Sequence, residues 1–166
     1  VRFDLSRIPR GAAIDSGRLT LTGLRNEQLD PAADATWLVQ IIAESELSTL
    51  DGADFMMVYS APASITLSQL TPDDLVVQRA NTWELDANVL RWLEEQRLAG
   101  VESLVVRIQG DGAADATALF GWDSGLGSVS SGNPPRLTLQ IGPEPTATPP
   151  LPTRDFVVAT FTPAPA

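Results

Sequence analysis

Apolar and polar residues alternate in short segments along the first 141 positions, and glycine, proline, aspartate and serine separate these segments. The opening residues show the pattern clearly, because Val1, Phe3 and Leu5 share one face of a strand. A more continuous apolar run at 37–43 is typical of a central strand, and a helical turn is predicted at 44–50. We predict strands at residues 1–5, 18–22, 37–43, 55–60, 64–67, 82–86, 103–109, 117–122 and 136–141. Such a series indicates an all-β protein, built as a sandwich or a barrel.

A helical pattern interrupts these strands at residues 87–99. Trp92 and Leu93 lie on its apolar face, Asp86 is placed to cap its first turn, and Gly100 is placed to end its last. We therefore expect one short helix beside the strands. The core is predicted to contain Phe3, Leu5, Leu19, Leu21, Ile41, Leu85, Trp92, Leu93, Val105 and Leu139.

The composition changes after residue 141, where proline and threonine become frequent. Residues 142–153 form a linker that its prolines make extended and stiff. Residues 154–166 form a tail, which begins with an apolar, β-branched and aromatic segment isolated by prolines. We predict that this segment is a strand made of Arg154, Asp155, Phe156, Val157, Val158, Ala159, Thr160, Phe161 and Thr162. The chain thus divides into a β-sandwich domain at 1–141, the linker and an extended C-terminal tail.

The composition excludes several kinds of catalytic chemistry. Among the 166 residues there is no cysteine and no histidine, and all 11 basic residues are arginine. Disulfides, thiolate nucleophiles, histidine-based triads and lysine Schiff bases are therefore excluded. The net charge of −10 disfavours a nucleic acid as partner. No apolar run reaches the length of a membrane span, so we expect no membrane insertion.

Four segments, in order, resemble the DNRLRE domain of secreted bacterial and archaeal proteins. They are residues 1–21, 83–93, 103–110 and 134–141. The first is similar to the family's strand, turn and second strand, and the second to its strand leading into a short helix with a Trp-Leu pair. The resemblance implies an antiparallel jelly-roll-like β-sandwich in an extracellular or cell-surface protein, and some family members are carbohydrate-binding modules. The family has one or more strands before the segment that opens this chain, so we expect a sandwich that lacks its leading strand.

Aromatic residues are candidates for a sugar platform, because exposed rings bind the apolar faces of sugars. Trp83 and Trp122 alternate with polar neighbours, which leaves burial and exposure equally open for them. Tyr59 is a further candidate at the rim of such a platform. Trp37 and Trp92 lie on apolar faces and are predicted to belong to the core.

Acidic residues supply candidates for a metal site and for catalysis. Calcium would use Asp111, Asp115 and Asp123, but their spacing is not that of an EF-hand, and Asp-Gly indicates a turn first. Glu94 and Glu95 are adjacent and point apart on a helix, unlike the facing carboxylates of a glycosidase. We therefore expect no metal, no other cofactor and no enzymatic activity.

Two functions remain open. The first is a structural or adhesive subunit of a surface filament or assembly, in which the tail adds as a β-strand to a neighbouring subunit, as in donor-strand complementation. Nine to twelve linker residues at ~3.1 Å each reach roughly 30 Å. The partners would then be other copies of the chain or neighbouring surface-protein domains. The alternative is a carbohydrate-binding module of a larger secreted polysaccharide-degrading or cell-surface protein, with a polysaccharide as partner.

Overall fold

The computed structural model describes residues 1–26, 29, 35–43, 55–110 and 120–143. These residues form strands that alternate with short helical segments. In chain order the strands are β1 (Arg2–Asp4), β2 (Ile14–Asn26), β3 (Trp37–Ala43), β4 (Ile65–Leu70), β5 (Ala80–Glu84), β6 (Ser103–Gly110), β7 (Phe120–Trp122) and β8 (Arg136–Ile141). The helices are α1 (Phe55–Ser60) and α2 (Ala87–Leu98), with a 3₁₀ turn at Pro72–Asp74.

The strands form two antiparallel sheets. The first sheet has the order β1-β6-β3-β4. The second is built around β2, which pairs with β5 on one side and with β8 and β7 along successive stretches of the other. The antiparallel β-sandwich expected from the alternating pattern is confirmed.

Apolar side chains from both sheets meet in one core. Leu19 and Leu21 come from β2, and Ile41 and Leu104 come from the first sheet. Leu104 and Val106 of β6 both point into this core, since every second residue of a strand points to the same face. Of the residues predicted for the core, those buried in this cluster are Leu5, Leu19, Leu21, Ile41, Leu85 and Leu93. Those half-buried against it are Phe3, Trp92 and Leu139.

Val105 is buried, but not in the core that the sequence suggested. It lies in a small second cluster with Ile42 and Ala61. Since Leu104 and Val106 point into the main core, Val105 between them points to the outer face of the sheet. The chain before β4 covers it there.

The helix α2 confirms the helical prediction at residues 87–99, one residue shorter at its C-terminal end. The Asp86 carboxylate accepts hydrogen bonds from the N–H groups of Asn88 and Val89 at 2.8 and 2.9 Å, which caps the first turn. Val89 and Leu93 pack into the core. Gly100 follows the helix with a φ of 91°, the left-handed conformation that ends it.

The strand predicted at 55–60 is wrong, because this segment is the helix α1. Its residues are apolar throughout most of their length, so they lack the polar positions that distinguish a two-residue period from a helical one. The carbonyls of Val58, Tyr59 and Ala61 at its C-terminal end accept hydrogen bonds from Arg107. This contact with β6 satisfies the end of a helix and is not visible in the local pattern.

Several predicted boundaries differ from the observed ones. β2 extends well beyond the predicted 18–22, since it pairs with three other strands along its length. The helical turn predicted at 44–50 lies outside the described residues, as do 117–119 of the strand predicted before Trp122. Neither helix in the described ranges is long and apolar enough to cross a lipid bilayer.

Candidate functional site: an open strand edge

The strand β1 covers only the first half of β6. Val1, just before β1, exchanges both backbone hydrogen bonds with Val106, each 2.7 Å long. On its other side β6 pairs with β3 as far as Gly110. On the side of β6 away from β3, none of the residues that the structure describes pairs with Arg107–Gly110. We call this stretch the open edge.

The open edge presents backbone groups for a further strand. In an antiparallel ladder, residues two apart on one strand direct their N–H and C=O groups to the same side. Val106 directs both groups toward Val1, so Ile108 and Gly110 direct theirs to the same side. Within the described part of the chain these groups have no partner strand. These donors and acceptors continue the ladder of β1 past Val1.

A groove of about 350 Å³ with both polar and apolar side chains, the edge groove, lies beside the open edge. Val1, Val58 and Tyr59 line it together with the second half of β6. The Val1 and Tyr59 side chains are 56% and 42% exposed. Arg107 and Gln109 line the same groove, so charged and polar groups lie beside these apolar side chains.

Arg107 holds one wall of the edge groove in place. Its Nη1 donates to the carbonyls of Val58 and Tyr59 at 2.5 and 2.8 Å, while Nε and Nη2 donate to Gln40 Oε1 at 3.0 and 2.7 Å. Burial lowers the pKa of the Arg107 guanidinium. These bonds attach the end of α1 to the outer face of β6, so the apolar side chains of α1 keep a fixed place above the open edge.

Gln109 contributes an unsatisfied polar atom to the same groove. Its Oε1 is one of the buried side-chain atoms that have no hydrogen-bond partner among the described residues, and the residue lines the edge groove. A buried acceptor without a donor costs on the order of 1–3 kcal/mol. A segment that enters the groove with a free donor would remove that cost.

The candidate sugar platform is not a flat pair of rings. Trp83 and Trp122 are both half-buried and pack against the core. Their ring centroids are 6.5 Å apart with an angle of 61° between the planes, and Phe120 packs edge-on against Trp122 at 5.1 Å. Edge-to-face packing is typical of an aromatic cluster that stabilises a core. Tyr59 lies apart from them, on α1 at the edge groove. The carbohydrate-binding alternative stays a prediction.

Asp123, a candidate calcium ligand, is fully buried and occupied by protein donors. Its Oδ1 accepts from the Ser130 hydroxyl at 2.6 Å and the Gly125 N–H at 2.8 Å. Its Oδ2 accepts from the hydroxyl and N–H of Ser131 at 2.6 and 2.9 Å and from the Asn133 N–H at 3.1 Å. Five donors use the lone pairs that a metal ion would need, so Asp123 organises the loop between β7 and β8.

The remaining candidates lie outside the described residues. These are Asp111 and Asp115 of the calcium prediction and the whole strand-forming segment at 154–162. Within the described ranges no group of three or more acidic side chains is placed to hold a metal ion.

Sequence reasoning missed the residues of the open edge itself, Arg107 to Gly110. A signal was present, because the predicted strand at 103–109 is longer than the opening strand at 1–5. However, only the pairing register shows that β1 meets the first half of β6.

No family model, curated protein or solved structure matches the chain. The resemblance to the DNRLRE domain therefore stays a prediction.

Proposed function

We propose that this chain is a non-catalytic structural module of an extracellular or cell-surface assembly. Copies join when the segment 154–162 of one adds as a β-strand to a sandwich edge of the next. The observation that carries the proposal is the sequence of that segment, which is apolar on both faces and follows a proline-rich linker. Strand addition would pair its backbone with a sheet edge and bury its apolar side chains.

The donor segment has the sequence that such a strand needs. Phe156, Val158 and Thr160 alternate with Val157, Ala159 and Phe161, so a strand there carries apolar side chains on both faces. Pro152 and Pro163 flank the segment and limit its pairing.

The linker is long enough to reach a neighbour. β8 ends at Ile141, and residues 142–153 connect it to the segment. At ~3.1 Å per residue in polyproline geometry, this connection spans up to about 37 Å. That distance exceeds the ~20 Å length of a typical strand, so the segment reaches past the edge of its own sandwich.

A non-catalytic, surface-located role is supported by the side chains and the linker. The chain has no cysteine, histidine or lysine, and Asp123 is committed to its loop. Proline- and threonine-rich linkers are typical of surface proteins with several parts. Head-to-tail addition does not close on itself unless the rotation between copies allows a ring, so the expected product is a filament.

Sedimentation velocity of the purified chain over a range of concentrations tests the proposal. We expect species heavier than the 17.7 kDa chain that grow with concentration. Deletion of residues 153–166 should leave a folded monomer, whereas deletion of 163–166 alone, which keeps the strand segment, should leave association intact. A full-length chain that stays monomeric at millimolar concentration, or a deletion that assembles like the full chain, would refute the proposal.

A further inference from the structure

A groove of about 300 Å³ lies between the two sheets, on the side of the sandwich away from β1. Among the described strands, β4 ends the first sheet on this side, and β5 ends the second. The first half of β4, the end of β5 and the start of α2 line the groove, which we call the seam groove. The seam groove therefore lies between two edge strands that belong to different sheets.

The seam groove has an apolar floor and exposed carboxylates at one end. Ile65, Leu67 and Trp92 are half-buried there and pack against the main core. Glu84 ends β5 and Asp86 precedes α2, so both acidic residues lie where the strand passes into the helix. Both of them are exposed. This arrangement favours a ligand with an apolar part and a cationic end.

Both carboxylates keep acceptor capacity for such a ligand. Glu84 Oε1 accepts from Arg18 Nε at 2.6 Å, and Asp86 Oδ1 accepts from the N–H groups of Asn88 and Val89. Among the described residues, no donor bonds to the second oxygen of either group. An ionised carboxyl group has about four acceptor sites, so the guanidinium of an incoming arginine can bond to either residue.

The outer edge of β5 presents backbone groups beside the seam groove. The Leu85 N–H donates to the Gly17 carbonyl at 2.8 Å, on the side of β2. Because alternate residues of an antiparallel strand direct their N–H and C=O groups to opposite sides, Thr82 and Glu84 direct theirs away from β2. None of the described residues pairs with β5 on that side. A strand added there would lie beside the seam groove, which Glu84 also lines.

The segment 154–162 has one face that suits the seam groove. Arg154, Phe156 and Val158 share this first face, whereas Asp155 lies on the second. With the first face inward, two apolar side chains cover the floor and a cation lies near the carboxylates. With the second face inward, the Asp155 carboxylate would be buried over an apolar floor, which is costly without a partner. The charges therefore select the first face.

We infer that the outer edge of β5 and the seam groove together are the acceptor for the segment 154–162 of a second copy. The inference rests on the proposed function and names its binding site. The donor exchanges hydrogen bonds with Thr82 and Glu84, lays its first face on the apolar floor and places Arg154 beside the exposed carboxylates. Because β5 ends at these carboxylates and the donor begins with Arg154, the two strands run antiparallel.

Reversal of single charges tests the side-chain part of the inference. Arg154→Glu should weaken self-association by about tenfold, the loss expected when a charged hydrogen bond is removed. Arg136→Glu on β8 is the matched control, because Arg136 is exposed and the net charge changes equally. Glu84→Arg should restore association in the Arg154→Glu chain, since the pair forms again with its charges exchanged. Circular dichroism of each variant reports whether the sandwich is folded.

Disulfide trapping tests the strand pairing, and the absence of native cysteine leaves the introduced pair as the only thiols. A chain with Thr82→Cys is mixed with chains that carry single cysteines at successive positions from 155 to 161. Thr82 is exposed and lies on the face of β5 opposite to Trp83, which packs against the core. Crosslinks should therefore form at odd-numbered positions, which carry the second face of the donor. Thr138→Cys is the control acceptor, since it is an exposed threonine on β8, which also pairs with β2.

The outcomes separate the inference from the proposed function. Crosslinks between chains from Thr82→Cys to odd-numbered positions, with association lost in Arg154→Glu and restored by Glu84→Arg, support the inference. Crosslinks at even-numbered positions overturn it, because the second face would then lie in the groove. Crosslinks to Thr138→Cys instead, with association insensitive to Arg154→Glu, overturn the acceptor while strand addition stands. Crosslinks confined to single chains that carry both cysteines overturn addition to a second copy. A monomer without crosslinks overturns both the inference and the proposed function.

Discussion

Asp123 illustrates how a single buried carboxylate determines a loop. The Ser130 hydroxyl, followed by the Ser131 hydroxyl and the Gly125 N–H, holds the pKa of Asp123 well below its usual range. A carboxyl group whose pKa is lower in the folded state than in the unfolded chain stabilises the fold above the unfolded pKa of about 4. That stabilisation is lost as the pH falls from about 4 toward the folded pKa.

We therefore predict that Asp123→Asn lowers the midpoint of thermal unfolding at pH 7. We also predict that this midpoint falls less steeply below pH 4 than it does in the natural chain. The NH₂ group of an asparagine would face hydrogen-bond donors of the loop, where the carboxylate accepts their bonds. The asparagine side chain also carries no charge that could be lost below pH 4. Thermal unfolding between pH 2.5 and 7 measures both effects. Asp73→Asn, at an exposed position, is the control and should keep the slope of the natural chain. An Asp123→Asn variant with the midpoint and slope of the natural chain would show that the carboxylate does not stabilise the loop.

At the scale of elements, a buried arginine connects α2 to the loop after β1. Arg97 donates from Nε and Nη2 to the Ile8 carbonyl at 3.1 and 2.7 Å and from Nη1 to the Val101 carbonyl at 2.6 Å. We predict that Arg97→Leu destabilises the fold by roughly 1–3 kcal/mol, because buried carbonyls lose their donor. Urea unfolding measures this difference, with Arg91→Leu on the exposed side of the same helix as control. Equal losses for the two variants would contradict the proposed connection.

The elements that could be predicted from sequence are those whose pattern of apolar and polar residues fits only one kind of secondary structure. β3, β8 and α2 were predicted correctly because their periodicity, capping residue and flanking turns agree. The segment 55–60 was predicted wrongly because a mostly apolar run fits a strand and a helix equally, and a distant arginine decides between them.

The candidate site was harder to predict from the sequence than the fold. The segment 154–162 is predicted as a strand with two apolar faces, since that prediction needs only local alternation. The register of β1 on β6 joins strands about a hundred residues apart, so it leaves no local signal. Arg107 acquires its role through the packing of α1 and β3 around it, which the local sequence does not show either.

For the whole molecule, net charge would oppose the assembly that we propose. Each copy carries a net charge of −10, so neighbouring copies repel each other. The screening length falls from about 30 Å at 0.01 M salt to about 8 Å at 0.15 M. We predict that self-association strengthens as sodium chloride rises over this range, as measured by the weight-average mass in sedimentation. Association that weakens with salt would indicate contacts made by opposite charges instead of a strand.

Hydrogen exchange at the outer edge of β5 tests the central claim most directly. The full chain and the chain without residues 153–166 are compared by mass spectrometry under associating conditions. The account predicts that the N–H groups of Thr82 and Glu84 exchange slowly in the full chain and rapidly in the shortened one, because only the full chain supplies a strand. The Val106 N–H, bonded to Val1 in both, is the internal reference. Equal exchange of Thr82 and Glu84 in the two chains would contradict strand addition at this edge.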